Sequence, residues 1–315
     1  MNRRLSQLLL AMLLPLMAWG QEEVWFTATS QEGVAITFQV LSESEKTCIV
    51  ARDENGNKAV PQETTGVTIP KTANGYTVTG IGENAFSYCE KLSWVNLPST
   101  LITIGDNAFH WCSKLQSISI PDKVTTIGNT AFYGAGLTSL WIPAKVEAIG
   151  SYAFSRCGKL DWISVDGNNP YYDSRYGCNA IIRKSDNYLI LGCKNTTIPS
   201  DVAGIESGAF GGCETLESVT IPASCYYVSN YAFDDCAALN SIVVEDGNPN
   251  YTSAGCNVII NKWDNVLIQG CNSSAIPSTV TAIASNAFYG CKGLETITIP
   301  ANVKTIGYSA FYDCI

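Results

Sequence analysis

The sequence predicts a β-rich α/β solenoid, in which one short unit of structure is repeated and stacked along a single axis. The dipeptide Ala-Phe marks eight copies of the unit, and apolar residues recur at fixed positions after it. Successive phenylalanines are 22 or 23 residues apart, except across two gaps of 56 and 55 residues; they are Phe86, Phe109, Phe132, Phe154, Phe210, Phe233, Phe288 and Phe311. A period in the low twenties with fixed apolar positions is typical of leucine-rich-repeat solenoids.

Each copy contains a predicted strand, a corner and a turn. In the first copy Leu92, Val95 and Leu97 alternate as the inward positions of a short strand, and Pro98 ends it. Gly105 allows a tight corner after the next apolar residues. The pattern A-F-x-x-C-x-x-L that follows predicts one or two helical turns. We therefore expect a right-handed superhelix of parallel strands and short helical turns, with the phenylalanines stacked in one internal spine.

The two long gaps contain matching insertions of 33 and 32 residues beyond the 23-residue period. Each insertion holds a β-rich run (C-N-A-I-I from residue 178, C-N-V-I-I from residue 256), a short polar turn and a second β-rich run. Two such runs around a short polar turn form a hairpin. The sequence thus predicts two inserted β-hairpins.

The N-terminal residues 1–20 have the features of a secretory signal peptide. Arg3 and Arg4 precede a short apolar run over residues 8–17, and Gly20 ends a small-residue cleavage site. The apolar run is shorter than the roughly 20 residues needed to span a membrane. We expect a secreted or cell-surface protein without membrane insertion.

The rest of the chain divides into two predicted parts. Residues 21–80 lack the repeat and contain β-rich runs, so we expect them to form an N-terminal cap over the first coil. Residues 81–315 form the predicted solenoid. The last copy stops within a coil, so we expect either a further segment or another cover for its open face.

The charge of the chain limits its partners. The formal net charge is −9, and removal of residues 1–20 with their two arginines makes it −11. An acidic chain without a basic cluster is a poor candidate for nucleic acid or an anionic membrane surface. We expect partners that are neutral, polar or basic.

Seven of the thirteen cysteines lie three residues after a repeat phenylalanine, and Ala135 occupies that place in the remaining copy. A position filled by Cys or Ala is a small buried slot, which predicts a ladder of free thiols. If any disulfides form, the local pairs Cys178 with Cys193 and Cys256 with Cys271 are favoured. No C-x-x-C occurs, so a structural zinc site is not expected.

The repeat pattern I-G-x-x-A-F-x-x-C-x-x-L-x-x-I-x-I-P, with long copies containing N-P-x-Y and C-N-A-I-I, resembles the BspA-like leucine-rich-repeat proteins over residues 67–315. The resemblance implies a secreted or surface-exposed protein of a host-associated microbe. It also implies adhesion to host extracellular matrix proteins or to other cells.

The sequence offers no constellation for catalysis. Its single histidine, His110, falls in a predicted turn next to Trp111, without a nucleophile or acid at a triad spacing. No phosphate-binding glycine pattern occurs. We predict no catalytic residue, no cofactor and no metal site.

The outward positions of the predicted strands hold the candidate binding residues. Most are Ser or Thr, but Trp94, Asn96, Trp141 and Trp162 break the pattern. Trp141 and Trp162 are predicted at diagonal positions on adjacent strands, roughly 7–8 Å apart between Cα atoms. These tryptophans either cover the sheet and pack on the cap, or form an aromatic platform for a ligand.

Three functions remain open from the sequence. The leading hypothesis is a non-catalytic protein whose strand face adheres to a host or neighbouring-cell protein. The alternative is a carbohydrate-binding module that stacks sugars on the exposed tryptophans. An enzyme is a remote third, and the oligomeric state is not predicted.

Overall fold

The N-terminal part of the protein is a small antiparallel sheet that continues into the repeats. The computed structural model describes residues 23–314, so the predicted signal peptide lies outside the described residues. The strands here are β1 (Trp25–Thr29), β2 (Ala35–Ser42), β3 (Thr47–Val50), β4 (Gly66–Thr68), β5 (Thr72–Ala73) and β6 (Tyr76–Ile81). β1, β2 and β3 pair antiparallel, and β3 then pairs parallel with β6, where the parallel ladder begins.

The repeats and the two insertions contribute the remaining strands, with at most two short strands in a regular coil. They are β7 (Trp94–Asn96), β8 (Thr103–Ile104), β9 (Thr126–Ile127), β10 (Ser139–Ile142), β11 (Ala148–Ile149), β12 (Trp162–Val165), β13 (Tyr172–Asp173), β14 (Ala180–Arg183), β15 (Tyr188–Gly192), β16 (Gly204–Ile205), β17 (Ser218–Ile221), β18 (Tyr227–Val228), β19 (Ser241–Val244), β20 (Tyr251–Thr252), β21 (Ile259–Asn261), β22 (Val266–Gln269), β23 (Ala282–Ile283) and β24 (Thr305–Ile306). No helix within residues 23–314 has the length and apolar character needed to cross a membrane.

The strands form two parallel ladders, one at the predicted strand positions and a second at the corners, which the sequence analysis did not predict as strands. The first ladder, which we call the strand face, consists of the pairs β4–β7, β10–β12 and β17–β19. The second ladder follows the Ile-Gly corners from β6 through β8 and β9 to β11, and resumes after each insertion. At the corners a glycine amide donates to the carbonyl of the preceding coil, as in Gly105 N to Ile81 O (2.8 Å). A Cβ on Gly105 would lie 2.9 Å from the amide of Glu83, so the coils require glycine there.

The predicted helical turns are wrong: the described residues contain no α-helix, and the one 3₁₀ element is Arg175–Gly177. The Ala-Phe segment instead makes successive i to i+3 turns, for example Ser87 N to Asn84 O and Cys89 N to Phe86 O. Left-handed residues such as Asn84 (φ 57°) and Tyr88 (φ 59°) separate these turns, and a helix of L-residues does not tolerate them. The spacing of apolar residues is the same for a short helix and for these successive turns, so it did not distinguish between them.

The expected single phenylalanine spine is also corrected, because it is divided at each insertion. Rings stack with centroids 4.9–5.2 Å apart in three separate columns, which run from Phe86 to Phe154, from Phe210 to Phe233 and from Phe288 to Phe311. The buried core falls into three clusters divided in the same regions of the chain.

A glycine of the insertion takes the place of the missing ring. In regular coils a phenylalanine amide donates to the alanine carbonyl of the next coil, as in Phe109 N to Ala131 O (2.7 Å). At the first insertion Gly192 N makes this bond to Ala209 O (2.8 Å). A Cβ on Gly192 would lie 2.3 Å from the Phe210 ring, so the ring packs directly on the glycine backbone. The insertion therefore supplies a modified turn to the stack.

Both predicted hairpins are confirmed, and each gains a third strand. β14 pairs antiparallel with β15, and β21 with β22; β13 and β20 add to their outer edges. Matching side chains fix both insertions to the preceding coil. Asn169 Nδ2 donates to the carbonyls of Pro143 and Val146, and the hydroxyl of Tyr172 accepts from Ile149 N (3.0 Å). Asn248 and Tyr251 repeat these contacts at the second insertion.

All thirteen cysteines are free thiols, including the two local pairs. The repeat thiols link neighbouring coils, since Cys112 Sγ donates to Phe86 O and Cys157 Sγ to Phe132 O, both at 3.1 Å. Burial raises the pKa of Cys157 to about 12, which keeps the thiol protonated and unreactive. The slot thus suits cysteine because it is small and can donate a weak hydrogen bond.

Candidate functional site

Two of the predicted binding residues, Trp94 and Asn96, lie on β7 against the N-terminal strands. Trp94 is 37% exposed and pairs opposite Gly66, where an added Cβ would lie 2.0 Å from the indole ring. The indole therefore covers β4, which supports the packing interpretation for this tryptophan. Asn96 Nδ2 donates to Thr68 Oγ1 (3.2 Å), whose hydroxyl in turn donates to Glu32. Hydrogen bonds from Thr68 lower the pKa of Glu32 to about 2.

The other two, Trp141 and Trp162, are brought together on the strand face. β10 and β12 pair with Trp162 opposite Ser139 and Trp141 opposite Ser164, so the two indoles are diagonal neighbours as predicted. Trp141 is 38% exposed and Trp162 is 48% exposed. Leu140, whose register position lies between those of the two tryptophans, points inward and is buried. The pair presents two large aromatic surfaces on a face whose other outward positions are mostly small hydroxyl residues.

The sequence analysis missed a second feature, a cleft at the first insertion with a volume of about 410 Å³. We call it the insertion cleft. It forms because β11 pairs with β9 on one side only, while β14 and β15 lie where the next coil would continue the ladder. Its floor is apolar, with Phe154, Ile181 and Leu191. The hydroxyl of Tyr172 covers the open edge of β11 by accepting a hydrogen bond from the Ile149 amide.

Charged and aromatic side chains form one wall of the insertion cleft. Arg183 binds Asp186 (Nη2 to Oδ2, 2.6 Å) and Glu206 (Nη2 to Oε1, 2.5 Å), and its guanidinium lies 5.9 Å from the Tyr188 ring centroid. The hydrogen bond to Asp186 raises the pKa of Arg183, so the guanidinium stays charged. Its Nη1 makes no hydrogen bond within residues 23–314. The Tyr188 ring stacks on Tyr227 with centroids 5.7 Å apart.

Hydroxyl groups form the opposite wall. Tyr152 Oη and Ser207 Oγ are 2.6 Å apart, and Ser155 Oγ donates to Gly208 O (2.7 Å). These bonds join the turn of the fourth coil directly to that of the coil after the insertion. The cleft is therefore bounded by fixed groups on both sides.

A comparison of the two insertions would have found this site in the sequence. Residues 178–210 align with residues 256–288 without a gap, and the shared anchoring contacts match. Arg183, Tyr188 and Glu206 correspond to Asn261, Val266 and Ala284, and Tyr226 and Tyr227 correspond to Lys304 and Thr305. Because the second insertion folds without these side chains, the scaffold does not require them at the first.

The single histidine lies in an aromatic stripe on the turns. His110 stacks on Tyr133 (centroids 5.3 Å) and meets the edge of Tyr88 (5.1 Å), and burial lowers its pKa. Trp111 contacts Tyr133 in the same stripe. The contacts of His110 are packing contacts between successive coils. The described residues contain no group of three side chains suited to hold a metal ion.

The repeat matches a known family. The sequence pattern of the BspA type leucine rich repeat region occurs in six copies, over residues 79–184 and 264–315. These ranges make up half of the chain, so the protein belongs to this family, and its fold is of the leucine-rich-repeat type.

Several solved structures are similar to the chain. A leucine rich cell surface protein from Faecalibacterium prausnitzii A2-165 is 26% identical, with 92% of each chain covered and a TM-score of 0.48. A leucine-rich-repeat protein from Eubacterium ventriosum is 21% identical, with 93% of this chain and 96% of that chain covered and a TM-score of 0.49. One from Bacteroides ovatus is 23% identical, with coverages of 93% and 79% and a TM-score of 0.46. No curated protein matches the chain.

Proposed function

We propose that this protein is a non-catalytic binding protein, secreted or held at the cell surface, that adheres to a host or neighbouring-cell protein through its strand face. The observation that carries the proposal is the exposed pair Trp141 and Trp162 on adjacent strands. Large aromatic side chains with rigid rings supply much contact area at low entropic cost, and they are enriched at protein interfaces.

The positions of the two tryptophans support a role in binding. The inward side of these strands is already packed in the core, since Leu140 and Ile163 are buried, and the two indoles lie on the other side. Elsewhere on the strand face the outward positions are mostly Ser or Thr, as at Ser218 and Thr220. An indole at such a position adds exposed apolar surface that the repeat does not need.

The charge of the protein favours a neutral or basic partner. The chain has a formal net charge of −9 and a pI near 4.7. Asp161, next to Trp162, is paired with Lys194 (Nζ to Oδ1, 2.6 Å), so this preference comes from the net charge of the whole chain. Like charge would oppose an acidic partner, while a basic one would associate faster at low salt.

One double variant and one single variant test the proposal. Trp141→Ala with Trp162→Ala should lower binding to immobilised extracellular matrix protein at least about tenfold, since such anchors contribute 2 kcal/mol or more. Trp263→Ala is the matched control, because this indole is 81% exposed but lies on the second insertion. Equal binding by the double variant and the wild type would reject the strand face as the site. Loss of binding in Trp263→Ala instead would move the site to the insertion.

A further inference from the structure

Four side chains that distinguish the first insertion from the second line one cavity. Arg183, Tyr188, Glu206 and Tyr227 all line the insertion cleft, and each is replaced at the second insertion. The anchoring contacts shared by both insertions, from Asn169 and Tyr172 or their equivalents, lie outside this set. Four of the differences between the insertions therefore lie together where a small ligand would fit.

We propose that the insertion cleft is a binding site for a neutral pyranose unit of a glycan. The cavity volume of about 410 Å³ is in the range of small-molecule sites. A pyranose has an apolar face of C–H groups and a rim of hydroxyl groups, each of which donates and accepts. It therefore needs an aromatic or aliphatic surface bordered by fixed hydrogen-bonding groups of both kinds.

The cleft supplies both kinds of group. Its apolar lining consists of Phe154 and Leu191 on the floor and the exposed ring of Tyr227 in the wall, on which the Tyr188 ring stacks. Arg183 Nη1 offers donors that make no bond within residues 23–314, and the carboxylate of Glu206 offers acceptor positions beyond the one used by Arg183. Ser151 and Ser207 add hydroxyl groups on the other side. Because salt bridges hold Arg183 and Glu206, these groups are ordered before a ligand arrives.

Charge and backbone geometry disfavour two other classes of ligand. Arg183 with Asp186 and Glu206 has a net charge of −1, which disfavours uronic acids, sialic acids and phosphates. An extended peptide would need to pair with the open edge of β11, as in β-strand addition. The Ile149 amide on that edge is already bonded to the Tyr172 hydroxyl. A neutral sugar meets neither obstacle.

The site is independent of the strand face, so the two proposals can fail separately. The test titrates the full chain with neutral methyl pyranosides and their disaccharides, with glucuronate and with short peptides, and follows binding by ligand-observed NMR and calorimetry. We expect a neutral pyranoside to bind with a dissociation constant of about 1 mM or tighter. Trp141→Ala with Trp162→Ala should leave this binding unchanged.

The decisive variant combines Arg183→Asn, Tyr188→Val and Glu206→Ala, which places the residues of the second insertion at the first. We expect this variant to bind the sugar at least tenfold more weakly. We also expect it to remain folded, with a cooperative thermal unfolding transition. Tyr188→Val alone, with a smaller loss, serves if the triple variant fails to fold. Absence of binding by all neutral sugars, equal binding by the variants, or binding of peptides in place of sugars would overturn the proposal.

Discussion

The most informative stability prediction concerns Gln269, a buried amide at the second insertion. Gln269 is 1% exposed, and its Oε1 accepts no hydrogen bond from any residue in 23–314. The equivalent residue at the first insertion is Leu191, which is 5% exposed. A buried acceptor without a donor costs about 1–3 kcal/mol, and leucine fills nearly the same volume. We therefore expect Gln269→Leu to stabilise the protein by about 2 kcal/mol.

Reciprocal variants measure this effect. At about 2 °C per kcal/mol for a chain of this size, Gln269→Leu should raise the melting temperature by about 4 °C. Leu191→Gln should lower stability by about 2–4 kcal/mol, because it removes apolar burial and introduces an unpaired amide. Circular dichroism melts and urea titrations of both variants give the comparison. A melting temperature of Gln269→Leu equal to or below that of the wild type would show that Oε1 has a donor, and would refute the reasoning.

Three further predictions follow from the core, the buried acid and the thiols. Phe132→Ala removes a fully buried ring with a neighbour on each face and should cost about 3–5 kcal/mol in urea unfolding, whereas Phe311→Ala, half-buried at the end of its column, should cost less than half as much. Burial raises the pKa of Asp234 to about 6, so the folded state binds a proton that the unfolded chain releases near pH 4. The contribution of this carboxyl group to folding stability is therefore lost as pH rises from 4 to 6. The free energy of unfolding of Asp234→Asn, relative to the wild type, should rise by about 1–2 kcal/mol between pH 4 and pH 7. A difference that does not change with pH would contradict this. A thiol reagent should detect all thirteen cysteines in denaturant but few in the native protein, and fewer than thirteen in denaturant would indicate disulfides.

Much of the fold was predictable because neighbouring coils share one pattern. The parallel strand face follows from the repeated strand positions, and the hairpins follow from β-rich runs around polar turns. The second ladder at the Ile-Gly corners was not predicted. The conformation of the Ala-Phe turn was not predictable in this way. Apolar residues three and four apart fit a helix, yet Tyr88 and Trp111 adopt left-handed conformations that only the stacking of coils reveals.

The candidate site was predicted in part. The diagonal register of Trp141 and Trp162 follows from strand alternation, and it is confirmed. The packing of Trp94 on Gly66 depends on where the cap places β4, which no repeat position specifies. The insertion cleft depends on the interruption of a ladder, a long-range feature that single-copy patterns do not contain. Its lining residues become visible in the sequence only when the two insertions are compared with each other.

The measurement that tests the central functional claim most directly is oxidative footprinting of the tryptophans with and without a bound protein partner. The account predicts that the partner protects Trp141 and Trp162 from labelling, while Trp263, which is 81% exposed, remains fully reactive. Unchanged labelling of Trp141 and Trp162 in the complex would contradict the assignment of adhesion to the strand face.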